Sequence, residues 1–411
     1  AHRYRELSMN ALHKRMGTRE FTWLVALLSS YQALCTFALL PALPQIAVDL
    51  SVTNQNDAQL VIGLFLVGNM IGQLVFGPLS DAFGRKPIIA SGLAIFFLGC
   101  LISLTTNNFW ILLLGRVLQG LGAAAPRTVS LSMVRDLYSG RPMARLMSLA
   151  MGIFTLMPII APMLGQAAMH IAGWRGILSA FILFGVLGLL WLQVRQVESL
   201  APEQRRRLQV NMYLNGFVSV WENRAALIYS FALGTTFAAF VGLTSSVQQI
   251  FQDTFGVGES FPYWFAAMSF SVVIASLLNS RIVIQFGMRK IVKLAMICIP
   301  GGSLVYLIIC LFFRDPGLFG FIAWGAFCFF GIGMSFANVN TLAMAPLGHI
   351  AGFGAAVVSF IPASLAVLIG IPLGRTFDGT QLPLVTGFTV LGVMGLALVL
   401  WADRYPQKPT N

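Results

Sequence analysis

Charged residues are scarce in this sequence, and that scarcity excludes an ordinary water-soluble fold. Of the 411 residues, 57% are hydrophobic and only 10% are charged, whereas soluble domains carry about 25% charged residues. A soluble fold so poor in charge would expose large apolar patches and aggregate. Most of the molecular surface must therefore face lipid, so the bilayer is the first partner that the sequence predicts.

The sequence also lacks the residue groupings of several common chemistries. Its five cysteines all lie in apolar runs without a CxxC pair, which argues against a disulfide framework and a zinc site. It has no Walker loop, HExxH, GxSxG or dinucleotide fingerprint, so ATP-driven pumping and metal or serine hydrolysis have no support. We expect no enzymatic activity, no cofactor and no metal.

The placement of the positive charges along the chain predicts the membrane topology. The net charge of +12 could indicate nucleic-acid binding, but Lys and Arg gather in alternate gaps between the apolar runs. Such alternation is the positive-inside bias of membrane proteins. We therefore expect no nucleic-acid partner, and we expect both termini and the long central loop to be cytoplasmic. The basic gaps contain Arg85, Lys86, Arg135, Arg141, Arg145, Arg195, Arg205, Arg206, Arg207, Arg224, Arg281, Arg289, Lys290 and Lys293.

Apolar runs long enough to span a bilayer recur along the chain. A spanning helix needs about 20 predominantly apolar residues, and the runs divide naturally into six plus six. They fall near 21–47, 58–78, 87–105, 109–134, 146–168, 177–194, 225–248, 262–284, 291–313, 318–346, 352–373 and 382–401. The predicted organisation is a cytoplasmic segment 1–20, a six-helix bundle 21–195, a cytoplasmic linker 196–224, a second bundle 225–402 and a cytoplasmic tail 403–411.

Three motifs carry a resemblance to a known family. The loop after the second run contains Gly77, Asp81, Gly84 and Arg85 in the spacing G-x-L-x-D-x-x-G-R-K. This spacing resembles the signature of the major facilitator superfamily, with Ala82 where the family often has arginine. We expect Gly77 to permit close helix packing at this loop.

The two other motifs lie inside predicted helices. Arg116, Gln119 and Gly120 are similar to the R-x-x-Q-G motif of the same superfamily. Pro162 and Gly165 resemble an element typical of drug/proton antiporters, which favours export over import. We expect the residues of these three motifs to serve structure and conformational switching.

The whole chain is most similar to the Bcr/CflA group of drug-resistance efflux proteins. That resemblance implies an all-α major facilitator fold, with two six-helix bundles related by a pseudo-two-fold axis. It also implies a monomeric multidrug antiporter of a bacterial inner membrane that works by alternating access on a small amphiphilic substrate. Protons or another ion would drive it, but the helix-one carboxylate common in this group is replaced by Phe37.

One arginine is not explained by the resemblance. Arg127 lies about 11 residues after Arg116 in the same predicted helix, so both point to one face about 16 Å apart. An arginine inside a membrane is costly and is usually paired or functional. Arg127 either faces substrate or extends towards the cytoplasmic rim. The other candidate substrate-contacting residues are Gln32, Thr36, Phe37, Asn69, Thr236 and Asn338.

Two alternatives remain at this point. An electropositive cavity at Arg127 would suit an anionic metabolite or a carboxylate siderophore, because a guanidinium binds carboxylates bidentately. A non-transporting membrane receptor could also keep this fold, since fold does not fix function.

Overall fold

The computed structural model describes the backbone of residues 16–205, 218, 220–312 and 316–405, and the side chains there except those of 141, 144, 348–353, 355 and 356. Most of the predicted segment 1–20, the middle of the predicted linker and residues 406–411 lie outside the described residues. Within the described ranges the secondary structure is helical, with no strand.

Contacts divide the described residues into two compact units. Unit 1 falls within Ala1–Val52 and Leu64–Leu208, and unit 2 falls within Thr53–Gly63 and Gln209–Asn411. The short segment Thr53–Gly63 therefore packs with unit 2, although the sequence alone would place it in the first bundle.

Unit 1 contains the first helices of the chain. They are α1 (Thr18–Phe37), α2 (Leu43–Asp49), α3 (Leu60–Phe83, whose first turn lies in unit 2), α4 (Arg85–Thr105), α5 (Phe109–Leu137) and α6 (Gly140–Arg195). A short 3₁₀ turn, Leu40–Ala42, joins α1 to α2, so the first span extends to Asp49.

The helix α6 supplies two crossings of a membrane. Its helical geometry is interrupted at Ala172 and Gly173, and Gly173 has a φ of 63°, which favours glycine because it has no Cβ. Among the described residues, eleven helical stretches are long and apolar enough to span a bilayer. Counting the two parts of α6 separately gives the predicted six plus six.

Unit 2 contains the remaining helices. They are α7 (Arg224–Gln249), α8 (Phe261–Phe286), α9 (Met288–Phe312), α10 (Gly317–Met344), α11 (Ala351–Leu365), α12 (Ile371–Arg375) and α13 (Leu382–Ala402). A π-helical turn, Ala366–Gly370, links α11 to α12.

The spans differ strongly in how much of their surface the protein covers. In the most apolar window of the span, 83% of residues are buried for α1, 67% for α5 and 78% for α7, against 17% for α8. An apolar helix that the protein covers as little as α8 is suited to contact with lipid. By contrast, α1, α5 and α7 are enclosed by other helices, and polar groups on them can serve functions other than lipid contact.

Each unit has a glycine with a positive φ directly before a helix whose first turns are basic. Gly84 precedes α4 with a φ of 105°, and Gly287 precedes α9 with a φ of 77°. In unit 1 the basic start of α4 binds groups after α6, with Lys86 Nζ donating to the carbonyl of Gln196 at 2.6 Å. In unit 2, Lys293 in the second turn of α9 pairs with Asp403 at 2.7 Å, just after α13.

Segment Thr53–Gly63 is bound to unit 2 by a chain of amides. Gln59 donates to Gln249 Oε1 at 2.8 Å, and Gln249 donates to Asn56 Oδ1 at 3.1 Å. Asn56 donates in turn to the carbonyls of Arg375 and Phe377 at 2.9 and 2.8 Å. These bonds fix the start of α3 to the ends of α7 and α12.

Candidate functional site

Arg116 is fully satisfied inside unit 1. Its side chain is 1% exposed, and it donates to Gln119 Oε1 at 2.6 Å and to the carbonyl of Cys35 at 3.2 Å. Its guanidinium lies 4.5 Å from the ring centroid of Phe65. Gln119 continues the network to Ser103 and the carbonyl of Gly99. Arg116 therefore links α1, α3 and α5 and is a packing residue.

Gly120 explains why the motif after Arg116 needs a glycine. A Cβ at Gly120 would lie 1.9 Å from the carbonyl oxygen of Phe65, which is far below any real contact. The helices α3 and α5 thus meet backbone to backbone, as small residues allow in membranes.

Arg127 is in a different environment from Arg116. It is half-buried, it donates to Gln32 Oε1 at 3.3 Å, and its guanidinium lies 4.3 Å from the centroid of Phe154. Within the described residues it forms no ion pair. It therefore faces the α1–α6 side of α5 and does not extend to Asp136, whose carboxylate is held by Arg85.

The predicted contact residues of α1 lie close to this arginine. Gln32, Thr36 and Phe37 are all buried, and Thr36 donates to the carbonyl of Gln32 at 2.9 Å. The hydroxyl of Thr36 is therefore used in a hydrogen bond to a backbone carbonyl of its own helix. Gln32 accepts a hydrogen bond from Arg127 through its Oε1.

Asn69 is part of a polar pair on α3. It donates to the carbonyl of Gly120 at 3.4 Å and accepts from Gln73 at 2.6 Å. Asn69 is 2% exposed, whereas Gln73 is half-buried. Gln73 is thus the more accessible member of this pair.

The loop between α3 and α4 is a dense charge cluster. Arg85 contacts Asp81 at 2.5 Å and Asp136 at 2.8 Å, while Glu198 accepts from the backbone nitrogens of Arg85 and Lys86 at 2.9 and 3.0 Å. Glu198 therefore caps the N-terminus of α4, where a negative charge is favourable. A Cβ at Gly84 would lie 2.9 Å from the Glu198 carboxylate.

The expectation that Gly77 permits close helix packing is wrong. A Cβ at this position would meet only the methyl group of Thr128, at 3.9 Å, which is an ordinary van der Waals distance. The carbonyl of Gly77 does accept from Ser80 Oγ at 2.7 Å, but any residue provides a carbonyl.

Gly165, by contrast, lies at a true point of contact. A Cβ here would lie 1.8 Å from the carbonyl oxygen of Ala38, directly after α1. Pro162 is buried one turn earlier in α6, and a proline removes a helical hydrogen bond. The pair thus combines a close backbone contact with a weakened turn.

The two candidates in unit 2 lie among helices. Thr236 is 7% exposed and donates to the carbonyl of Ala232 at 3.2 Å, beside a small cavity whose lining includes Met296 and Ile332. Asn338 is 4% exposed and donates to Asn279 Oδ1 at 2.7 Å and to the carbonyl of Met334. These bonds favour inter-helix packing as the role of Asn338.

A half-open aromatic face lies on unit 2 near these residues. Phe237 and Phe240 of α7 are stacked at 6.2 Å, and Phe336 of α10 lies 6.0 Å from Phe237. Phe336 is 39% exposed, and Asn340 follows it one turn later on the exposed side of α10. Because Asn340 is polar, lipid is an unfavourable environment for this part of α10.

Three residues with defined contacts did not appear among the predicted site residues. Phe154 stacks on Arg127, Glu198 caps α4, and Asn279 pairs with Asn338. Of these three residues, only Glu198 could have been selected from the sequence. It is an acid directly after a predicted helix that ends near basic residues. The contacts of Phe154 and Asn279 depend on which helices pack together, and helix periodicity does not reveal that.

The fold and these motifs define a polytopic α-helical membrane transporter. A family model described as Major Facilitator Superfamily matches residues 25–361, so the chain belongs to the major facilitator superfamily. Its helices form the major facilitator fold, as in the D-xylose–proton symporter, to which it is 14% identical with a TM-score of 0.73 over 95% of this chain and 97% of that one.

Curated relatives match over most of the sequence. The chain is 26% identical to the multidrug resistance protein D of Escherichia coli, over 94% of this chain and 96% of the relative. It is 28% identical to a bicyclomycin resistance protein homolog of Haemophilus influenzae, over 69% and 72% of the two chains. These matches agree with the resemblance to the Bcr/CflA group.

Membership of the family fixes the general activity. The protein is a multi-pass membrane transporter of small-molecule substrates and not an enzyme.

Proposed function

We propose that this protein is a secondary transporter that exports a small amphiphilic or drug-like molecule by alternating access. Relatives named as resistance proteins support export of such compounds. The match to a multidrug resistance protein over 94% of this chain carries the proposal. Arg127, a half-buried cation without an ion pair in the described residues, supplies a candidate binding group.

The proposed substrate contacts lie on both units. In unit 1, Arg127 and Gln32 are the primary candidates for substrate contact. Thr36, Phe37 and Asn69 are secondary candidates. In unit 2, the aromatic face of Phe237, Phe240 and Phe336 is a better candidate than Asn338 because its rings are partly open. Thr236 stays a candidate through the cavity that it lines.

The remaining motif residues are proposed to control conformation. The Asp81–Arg85–Asp136 cluster, Gly84 and the helix contact at Gly165 lie where helices meet or turn, so they can hold one conformation of unit 1. Pro162 weakens the adjacent turn of α6. Arg116, Gln119 and Gly120 hold α3 and α5 together.

The protein's environment follows from its charges and relatives. We propose a monomer in a bacterial inner membrane with both termini in the cytoplasm, coupled to protons or another ion. No acidic residue lies in the middle of a described span, so the coupling group differs from the helix-one carboxylate of the group.

Flux measurements in proteoliposomes test this function. Purified protein would be reconstituted, an inside-acid or inside-alkaline gradient imposed, and uptake of cationic, neutral and anionic aromatic compounds followed, with protein-free vesicles as the control. We expect saturable flux of at least one class. Absence of protein-dependent flux for every class and gradient would refute the proposal.

A further inference from the structure

We propose that Arg127, Gln32 and Phe154 form a binding site for an acidic group on the transported molecule. This inference rests on the proposed function and assigns a chemical class to its substrate: an amphiphile with a carboxylate or similar anion.

The charge of Arg127 has no counter-charge in the described part of unit 1. Its recorded partners are the neutral amide of Gln32 and the ring of Phe154. A cation inside a membrane span is costly unless it is paired. An anion on the substrate would supply the missing charge, whereas a cationic substrate would add repulsion.

Arg116 shows what a structural arginine looks like in the same helix. It is 1% exposed and donates to Gln119 at 2.6 Å and to the Cys35 carbonyl at 3.2 Å, besides its ring contact. Arg127 is more exposed and donates to Gln32 at 3.3 Å. Since the two side chains share a helix and a chemistry, the difference indicates that Arg127 is kept available for another partner.

The donors of Arg127 suit a flat anion. A guanidinium carries five N–H donors, and only one of them, on Nη1, is used by Gln32. The ring of Phe154 covers a face of the guanidinium, which leaves the donors at its edge for a ligand. Edge donors in this fork geometry match the two oxygens of a carboxylate.

Arg127 is partly open on an otherwise enclosed helix. The residue is half-buried, whereas 67% of the residues in the most apolar window of α5 are buried. The exposed part of Arg127 is therefore available to a ligand.

A pair of probes that differ only in charge tests the site. Binding of 2-naphthoate and 2-naphthamide would be measured by equilibrium dialysis on purified protein. The variants would be Arg127→Gln, Gln32→Glu and, as a matched control on the same helix, the exposed Arg135→Gln. Thermal unfolding of each variant would establish that it is folded.

The site predicts a specific pattern. Arg127→Gln should weaken naphthoate binding at least about tenfold, because a charge-assisted hydrogen bond is lost, and should change naphthamide binding less than about twofold. Gln32→Glu should weaken naphthoate similarly, because it places a carboxylate beside Arg127 without removing the arginine. Arg135→Gln should leave both affinities unchanged.

Three outcomes would overturn the inference. They are no binding of naphthoate by the unaltered protein, equal affinity for both probes, and unchanged naphthoate affinity in the folded Arg127→Gln variant. Each of them leaves the proposed export function standing if protein-dependent flux of another compound is observed, so the two proposals fail separately.

Discussion

At the scale of single residues, Arg116 and Arg127 of α5 have different roles. Replacing Arg116 by Lys keeps the charge but removes the fork that reaches Gln119 and the Cys35 carbonyl together. We expect a loss of about 2–3 kcal/mol of stability, seen as a lower melting temperature in detergent. Arg135→Lys, at an exposed position, should melt like the unaltered protein. An unshifted Arg116→Lys variant would contradict the packing role.

Two glycines give a matched test of close helix contact. Gly165→Ala should cost about 3 kcal/mol or more, because its methyl group would meet the carbonyl of Ala38 at 1.8 Å. Gly77→Ala should be neutral or stabilise by up to about 1 kcal/mol, since alanine favours a helix and the nearest atom is 3.9 Å away. The measurement is the yield and melting temperature of each purified variant. Equal behaviour of the two would show that backbone proximity is not the deciding feature.

The predictability of the site also differs from residue to residue. Arg127 and Gln32 could be selected from the sequence because a cation and an amide stand out in apolar helices. The stacking of Phe154 on Arg127 could not, because Phe is common in such helices and its partner lies about 27 residues away on another one. Asn338 was selected for its polarity, but that polarity is satisfied by Asn279.

At the scale of helices, the apolar runs predicted the spans well because lipid forces the backbone to satisfy itself within a helix. The irregular turns were not predicted. The continuation of the first span through Leu40–Ala42 and the π-helical turn at Ala366–Gly370 keep the same apolar composition as the helices beside them. At Gly173 the sequence predicts only a gap between two apolar runs. The structure shows that the helical geometry of α6 is interrupted at two residues there.

The start of α4 depends on an acid from outside the helix. Glu198→Ala would leave the backbone nitrogens of Arg85 and Lys86 without their acceptor. We expect a loss of about 1–2 kcal/mol and faster hydrogen exchange in the first turn of α4. Glu203→Ala, at an exposed position in the same loop, should change stability by less than about 0.5 kcal/mol. Unchanged exchange at α4 would rule out the cap.

At the scale of the whole molecule, the charges that surround the spans determine how the chain is inserted. The described basic residues concentrate at the helix ends around Arg85, Arg135 and Arg289, whereas the loop after α12 carries Asp378. Positively charged loops stay in the cytoplasm during insertion. Ser199 should therefore face the cytoplasm, and Thr380 should face the opposite side.

Cysteine labelling can check this orientation directly. All five native cysteines lie within helices, so single cysteines introduced as Ser199→Cys and Thr380→Cys can be compared against the unaltered background. In intact cells, a membrane-impermeant maleimide should label the Thr380→Cys variant and not the Ser199→Cys variant, and lysis should make the latter reactive. The reverse pattern would place both termini outside the cytoplasm.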